Sequence, residues 1–338
     1  MPLMFRCLRS GLLLVTLLLT GAAARAQATA AVTPSAPAAG AAPLTELLAY
    51  PAAPVQLNVL STTLANGVQV QDVTFASVAG QLPVQAYVVR PAGPVPAGKL
   101  AGVLFVHWYE PSRPTSNRTQ FLDEAQELAR RGTVSLLVST FWSDSSRYQR
   151  RRWQDDYQNT LHQARDLRRG LDVLLAQPGV DAARIGLVGH DYGALFATLV
   201  AAVDGRARAH VHIAGTARFA DWYVLGLGRR VPHGPDSAAY RRQLLPLEPP
   251  TVLPGTRAQA VFYQLGENDF YTPRASFLEF YQLCGAPRKR LATYPARHGM
   301  DAPIIRVDRL EWLGRELALP AAVPALLPAP PAATGRRP

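Results

Sequence analysis

The stretch RIGLVGHDYGALFATLVAAV, residues 184–203, decides the fold. It starts as a short apolar run, turns sharply between Gly189 and Gly193, and continues with the composition of a helix. In a strand–turn–helix of the form Gly-x-nucleophile-x-Gly, the two glycines permit a crowded turn that holds the central residue in a strained backbone conformation. The central residue here is Asp191. The pattern therefore predicts that Asp191 projects its carboxylate at the end of a buried strand.

Short apolar runs recur on both sides of this turn and indicate strands that are buried on both faces. They are AGVLFVHW (101–108), TVSLLVST (133–140), HVHIAG (210–215), QAVFYQLG (259–266) and RLATYPA (290–296). Longer amphipathic stretches lie at 119–132, 157–177, 274–285 and 304–319. Residues 68–93 alternate apolar and polar positions around a glycine turn, as an antiparallel hairpin does. We therefore predict an α/β fold with a mainly parallel central sheet, helices on both faces and an antiparallel N-terminal edge.

Two further polar residues follow predicted strands. Asp269 comes after one apolar run in YQLGENDFYTP, and His298 comes after the last run in ATYPARHGM. Ligands of such sheets lie beyond the carboxyl ends of the strands. Nucleophile, acid, histidine is also the chain order of the α/β-hydrolase triad. We therefore expect Asp191, Asp269 and His298 to meet at one edge of the sheet.

Most of residues 70–316 resembles the α/β-hydrolase superfamily. The motifs GVLFVHW, EAQELARRGTVSLLVST, AQPGVDAARIGLVGHDYGA, GENDFYTP and RHGM are similar to those of the dienelactone hydrolase branch. The resemblance implies Asp191 as nucleophile, His298 as base and Asp269 as the acid that orients the base. It also implies an oxyanion hole formed by one backbone amide at about Trp108 and a second amide at Tyr192.

The nucleophile departs from that branch, which normally has Cys or Ser at this position. Asp191 instead resembles the nucleophile of haloalkane dehalogenases and epoxide hydrolases, whose elbows commonly read Gly-His-Asp-x-Gly. An aspartate, with a reference pKa of about 3.9, is ionised at neutral pH and needs no base to attack an electrophilic carbon. His298 would then activate the water that hydrolyses the resulting ester. The nucleophile thus favours epoxide or carbon–halogen hydrolysis, and the surrounding motifs favour ester or lactone hydrolysis.

The segment 216–258 is too short for the helical cap that dehalogenases and epoxide hydrolases usually carry, so we expect no large cap domain. Tyr109 and Tyr223 are candidate substrate-binding residues. Aromatic residues near a sheet edge are more often packing residues, and this alternative applies to Tyr223, to Trp222 and to Trp108.

A second function class stays open at this stage. Asp tolerates unusual backbone angles, so Asp191 is also compatible with an inactive α/β-hydrolase-fold protein that binds a ligand without turnover. The presence of both Asp269 and His298 argues against this, because an inactive site has no chemical need for either residue.

The composition and charge of the chain indicate which kinds of binding partner to expect. The chain has 338 residues and a formal net charge of +11, but the basic residues are dispersed, so we expect no nucleic-acid binding. One dense cluster, RYQRRRW at 147–153, suits an anionic surface or, more simply, a solvated helix entrance. Metal-ligand spacing and phosphate-binding loops are absent, so we expect a small-molecule substrate and no cofactor. The sequence leaves the oligomeric state and the substrate undetermined.

The termini predict export. Residues 1–26 have the order of a secretory signal peptide, with arginines, an apolar run and an Ala-Arg-Ala site. We predict an Ala/Pro-rich linker at 27–54, an α/β-hydrolase domain at 55–317 and a disordered Pro/Ala-rich tail at 318–338. The mature protein is expected in the periplasm or outside the cell without a membrane anchor. Its remaining cysteine, Cys284, is expected to be a buried thiol.

Overall fold

A single mixed sheet organises the chain in the computed structural model, which describes residues 42–321 apart from 79, 81, 111 and 221–234. Its strands are β1 (Leu57–Ala65), β2 (Val68–Phe75), β3 (Val84–Pro91), β4 (Leu100–Val106), β5 (Thr133–Val138), β6 (Val180–His190), β7 (Ala209–Ile213), β8 (Ala260–Gly266) and β9 (Arg288–Tyr294). The described helices are α1 (Leu44–Leu47), α2 (Leu122–Arg130), α3 (Ser145–Gln149), α4 (Asp156–Leu175), α5 (Tyr192–Val203), α6 (Pro235–Leu244), α7 (Pro249–Val252), α8 (Arg274–Leu283) and α9 (Pro303–Glu316).

The strand order is β1-β2-β3-β5-β4-β6-β7-β8-β9. The pairs β1–β2, β2–β3 and β3–β5 are antiparallel, and every pair from β5 to β9 is parallel. This confirms the predicted mainly parallel sheet with an antiparallel N-terminal edge. Val106 is in register with Gly189, and His190 with Ile213, so β4, β6 and β7 end at the same edge.

Each face of the sheet has its own apolar core, because alternate strand residues point to opposite faces. Leu104 and Val106 of β4 pack with α4 and α5, whereas Val103 and Phe105 pack with α2 and α9. Every residue of β4, β5, β7 and β8 is buried. The apolar runs of these four strands are thus covered by helices on both sides, as predicted. The last run, at 290–296, is not, because it lies in the edge strand β9, in which only Tyr294 is buried.

The sequence did not predict β1. This edge strand pairs with β2, yet all but its first residue are exposed. A strand without a buried face has no reason to alternate apolar and polar residues, so its sequence carries no period-two signal.

Residues 44–54 do not form the predicted linker. Leu48, directly after α1, is completely buried in the core that contains α4 and α5. Arg165, Arg168 and Arg169 on α4 donate hydrogen bonds to the backbone carbonyls of residues 47, 48, 53 and 54. The folded region therefore begins before Val55, because a distant helix supplies the donors for this segment.

The basic cluster at 147–153 is partly structural. Arg151 is buried and forms an ion pair with Asp156, the first residue of α4, whose carboxylate also accepts a hydrogen bond from the Tyr240 hydroxyl. Arg152 pairs with Asp155 at the surface, and Arg147 lies over the Phe141 ring. A wholly solvated helix entrance is therefore wrong for Arg151.

The span between β7 and β8 contains short helices and no large cap in its described part. Near the C-terminus, Leu319 packs on the core and the carbonyl of Pro320 accepts a hydrogen bond from Arg131, so the fold continues past residue 317. Cys284 is buried, as predicted. No helix within the described ranges is long and apolar enough to cross a membrane. The predicted signal peptide and most of the predicted tail lie outside the described residues.

Candidate active site

Asp191 occupies a sharp turn between β6 and α5. Its backbone has φ 56° and ψ −122°, a left-handed conformation that disfavours residues other than glycine. The backbone can pack this closely at the turn because the flanking residues, Gly189 and Gly193, have no side chains. A β-carbon on Gly189 would lie 2.4 Å from the carbonyl oxygen of Gly193, and one on Gly193 would lie 2.5 Å from the carbonyl oxygen of Val106. The turn thus has the strain and close contacts expected of a nucleophile elbow.

Asp269 follows β8 and is fixed by its own loop. Its Oδ1 accepts hydrogen bonds from the backbone amides of Tyr271 and Thr272, at 2.8 and 3.0 Å. Its Oδ2 lies 2.9 Å from Nδ1 of His298, and the side chain is fully buried. A carboxylate with this many donors is held in one orientation, so the residue is suited to orient an imidazole.

His298 bridges the two carboxylates. Its Nε2 lies 3.6 Å from Oδ1 of Asp191, on the side opposite to its contact with Asp269. Only 7% of His298 and 5% of Asp191 are exposed. The structure therefore brings the three sequence-predicted residues together in the order carboxylate, imidazole, carboxylate.

The charge of His298 follows from this arrangement. Burial by itself lowers the pKa of the imidazole, but hydrogen bonds and charges from Asp191 and Asp269 outweigh it and raise the pKa to about 10. His298 is therefore an imidazolium at neutral pH, paired with a carboxylate on each side. In this state it can donate a proton but cannot accept one.

The amide that faces Asp191 belongs to Tyr109. Its N–H donates to Oδ2 of Asp191 at 3.3 Å. The Trp108 amide, which the resemblance suggested for this role, instead donates to Oε1 of Gln120 at 2.8 Å. In this loop the amide of Tyr109, and not that of Trp108, therefore contacts Asp191. Tyr192, the other suggested residue, is the first residue of α5 and is completely buried, with its amide in the first helical turn.

The aromatic candidates differ in their surroundings. Trp108 is buried and stacks on His190, with ring centroids 4.9 Å apart, so packing is its observed role. Tyr109 is half-buried, and burial together with Glu110 raises the pKa of its phenol to about 12. Its hydroxyl therefore keeps its proton and can act as a donor. Tyr223 and Trp222 lie outside the described residues.

Two histidines near the site have structural partners. His107 is buried, and its Nε2 accepts a hydrogen bond from the Thr140 amide at 3.0 Å, while Nδ1 lies 2.6 Å from the carbonyl of Trp108. His190 contacts Gln120 and the backbone of His298. Both histidines thus have hydrogen-bonding roles in the structure. Within the ranges that the structure describes, no group of three or more His, Cys, Asp or Glu side chains could hold a metal ion.

Solved structures resemble this architecture over most of its length. An acetyl xylan esterase from a Paenibacillus species superimposes with a TM-score of 0.64 at 16% identity, covering 80% of this chain and 92% of that chain. Acetyl xylan esterase 1 from a Thermoanaerobacterium species gives 0.60 at 15%, covering 78% and 87%. The chain has the α/β-hydrolase fold.

A Klebsiella pneumoniae protein assigned as a dienelactone hydrolase shares the fold as well, with a TM-score of 0.52 at 16% identity, covering 75% of this chain and 99% of that chain. No protein-family model matches the sequence, and no curated protein does. The likeness thus concerns the fold and does not assign a reaction to this chain.

Proposed function

We propose that this α/β-hydrolase-fold protein is a hydrolase that forms a covalent intermediate on Asp191. The observation that carries the proposal is the position of His298, with Nε2 3.6 Å from Asp191 and Nδ1 2.9 Å from Asp269. A buried imidazole between a strained carboxylate and a firmly held one serves two-step hydrolysis. The same arrangement has no evident use in passive ligand binding.

In the first step, an Asp191 oxygen attacks an electrophilic carbon of the substrate, and the bond from that carbon to the leaving group breaks. A halide leaves as an anion. An epoxide oxygen, or the oxygen of another alkoxide leaving group, takes the proton that His298 carries. The product on the protein is a neutral ester of Asp191.

In the second step, His298 acts as a base. The negative charge of Asp191 helps to keep the pKa of the imidazole near 10, and esterification removes this charge. We expect the pKa to fall, so that His298, which has given its proton to the epoxide oxygen or releases it to solvent after a halide has left, can take a proton from water while Asp269 orients it. The hydroxide attacks Cγ of Asp191, the ester bond breaks, and the departing alkoxide takes a proton from His298 and leaves as the alcohol. The carboxylic acid formed on Asp191 then returns its proton to His298, which restores the starting state.

The contact between Tyr109 and Asp191 favours electrophiles at saturated carbon. The Tyr109 amide already donates to Oδ2 of the nucleophile itself. During hydrolysis of an alkyl ester of Asp191, the oxyanion develops on an Asp191 oxygen, where this donor can stabilise it. In a serine-type esterase the hole receives a substrate oxygen instead. This supports epoxide or carbon–halogen substrates over carboxylic esters for the aspartate nucleophile.

The His298→Gln variant tests the proposal. Without the base, the ester should persist after incubation with butyl bromide, whose leaving group needs no proton from His298, and intact-mass measurement should show one adduct, which peptide mapping locates on Asp191. Styrene oxide is tested for turnover by the wild type, because its ring opening takes a proton from His298. The panel should include p-nitrophenyl acetate and an acetylated xylo-oligosaccharide, because two structures that share the fold are acetyl xylan esterases.

Asp191→Asn and Asp191→Ala are the controls, the latter because Asn can deamidate to Asp. Neither should form the adduct. Turnover that survives Asp191→Ala would remove Asp191 from the mechanism. If the panel gives neither adduct nor turnover with any variant, the alternative of a non-catalytic binding protein is favoured.

We also propose that the protein is exported after removal of residues 1–26. The order of arginines, apolar run and small residues in this segment supports the proposal. Intact mass of the protein recovered from the periplasm or medium should correspond to a chain that begins at Gln27. Retention of the full chain in the cytoplasm would contradict it.

A further inference from the structure

Two side chains outside the triad connect three of the four segments that carry the site. Gln120, just before α2, contacts the Trp108 amide through Oε1 at 2.8 Å and Nδ1 of His190 through Nε2 at 2.6 Å. Nε2 of His190 lies 2.9 Å from the backbone carbonyl of His298. We propose that Gln120 and His190 are positioning residues that hold the His298 loop and the Trp108–Tyr109 turn against the Asp191 elbow. This inference deepens the proposed function and rests on it.

One obligatory donor fixes the direction of every hydrogen bond in this chain of contacts. The Trp108 amide can only donate, so the Gln120 atom that faces it is the oxygen. Gln120 therefore presents its NH₂ group to His190, whose Nδ1 must accept. The imidazole proton of His190 is then on Nε2, where it donates to the carbonyl of His298. Each group has the partner that its chemistry requires.

His190 must remain neutral for this arrangement, and its surroundings favour that. It is 1% exposed, and burial, followed by the charges of His298 and Arg309, holds its pKa well below the usual value. Its ring lies parallel to Trp108, and its centroid is 5.6 Å from that of His298. A proton on Nδ1 would lose the bond from Gln120 and place a second positive charge beside the imidazolium of His298.

The connection reaches every reacting part of the proposed site. Trp108 is followed by Tyr109, whose amide contacts Asp191, and His190 directly precedes Asp191. The carbonyl held by His190 belongs to the base itself. A shift of one segment therefore changes the distance from His298 to Asp191, and misplacement of about 1 Å can reduce turnover about 100-fold.

The structure also offers a matched control. Gln163 on α4 accepts a hydrogen bond from the Phe141 amide at 2.8 Å, so it caps the turn after β5 as Gln120 caps the turn after β4. Its contacts do not include the triad. Methionine is the substitution of choice at both positions, because it keeps the volume. A smaller residue at 120 would admit water from the adjoining cavity of about 240 Å³.

The first test needs no substrate. Imidazole nitrogen NMR of the wild-type protein should show His190 neutral, with its proton on Nε2, at neutral pH. In Gln120→Met the pKa of His298 should fall towards that of an ordinary histidine, because the imidazole is no longer held against Asp191. Gln163→Met should leave it unchanged. A His190 protonated on Nδ1 in the wild type, or the same pKa of His298 in both variants, would overturn the proposal.

Gln120→Glu provides a second variant if Gln120→Met does not fold. A carboxylate can accept from the Trp108 amide but cannot donate to His190, so His190 should take up a proton on Nδ1. Unchanged protonation of His190 would count against the assignment. With the substrate that forms the adduct, Gln120→Met should lower kcat about 100-fold with little change in KM, and Gln163→Met should not. If no panel compound reacts, the proposed function fails, whereas the NMR results still decide the positioning role.

Discussion

The turn at Asp191 leaves no room for a β-carbon on Gly189, so its crowding can be tested without a substrate. In Gly189→Ala the new carbon would lie 2.4 Å from a carbonyl oxygen, so the turn must open. We expect the free energy of unfolding to fall by about 2–3 kcal/mol, measured by urea denaturation. Gly255→Ala is the control, because nothing lies within 4 Å of its β-carbon. Equal effects of the two substitutions would contradict the crowded turn.

The protonation of His298 gives a pH prediction. Its pKa in the fold, about 10, is above the value of about 6.5 expected in the unfolded chain. The interaction therefore stabilises the protein fully below about pH 6.5, and the stabilisation is lost as pH rises through about 10. The free energy of unfolding of the wild type should decrease over this range more than that of Asp191→Asn, which removes one of the two carboxylates.

NMR titration of the His298 imidazole checks the same prediction directly. The wild-type signal should show the cation to about pH 9, and the midpoint should be lower in Asp191→Asn. An ordinary midpoint in the wild type would mean that the two carboxylates do not share the imidazole as the structure indicates.

At the scale of elements, the N-terminus of α4 depends on a buried ion pair. Arg151 and Asp156 have fully buried side chains, whereas the neighbouring pair of Arg152 and Asp155 is exposed. Arg151→Met leaves Asp156 as a buried carboxylate without its cation, which costs about 3–5 kcal/mol. Arg152→Met should change stability by less than about 1 kcal/mol. Urea denaturation of both variants measures the contrast, and similar losses would show that Arg151 is solvated.

The strands that could be predicted most directly from the sequence are those that are buried on both faces. The strands β4, β5, β7 and β8 and the second half of β6 could be predicted because strands covered on both faces must be apolar throughout, and the sharp turn could be predicted from Gly189, Asp191 and Gly193. Neither β1 nor α1 could be predicted in this way. β1 has no buried face, and α1 is held by donors from α4, more than a hundred positions away along the chain.

Only part of the candidate site could likewise be predicted from the sequence. Asp269 and His298 could be predicted because each follows a strand that ends at the common edge. The role of Gln120 could not, because nothing in TQFLDEAQEL indicates which amide or imidazole its side chain will meet. The shift from the Trp108 amide to the Tyr109 amide likewise depends on the contact with Gln120.

For the molecule as a whole, the segment before Val55 is part of the fold. Leu48 is completely buried against α5 and neighbouring elements. Leu48→Ala should therefore lower the free energy of unfolding by about 2–5 kcal/mol, as a core substitution does. Leu64→Ala on β1 is the control. Leu64 is 69% exposed, so this substitution should change the free energy of unfolding little. If Leu48→Ala leaves the free energy of unfolding unchanged, the segment before Val55 is the linker that the sequence predicted.

The central claim is that Asp191 itself becomes covalently attached to the substrate. A single turnover in water labelled with heavy oxygen tests it most directly, using excess protein and whichever panel compound forms the adduct in His298→Gln. Water attacks Cγ of Asp191 in the proposed second step, so mass spectrometry should find the label in the peptide that contains Asp191 and not in the product of that first turnover. Label in the product, with an unlabelled Asp191 peptide, would show that water attacks the substrate directly and would contradict the account.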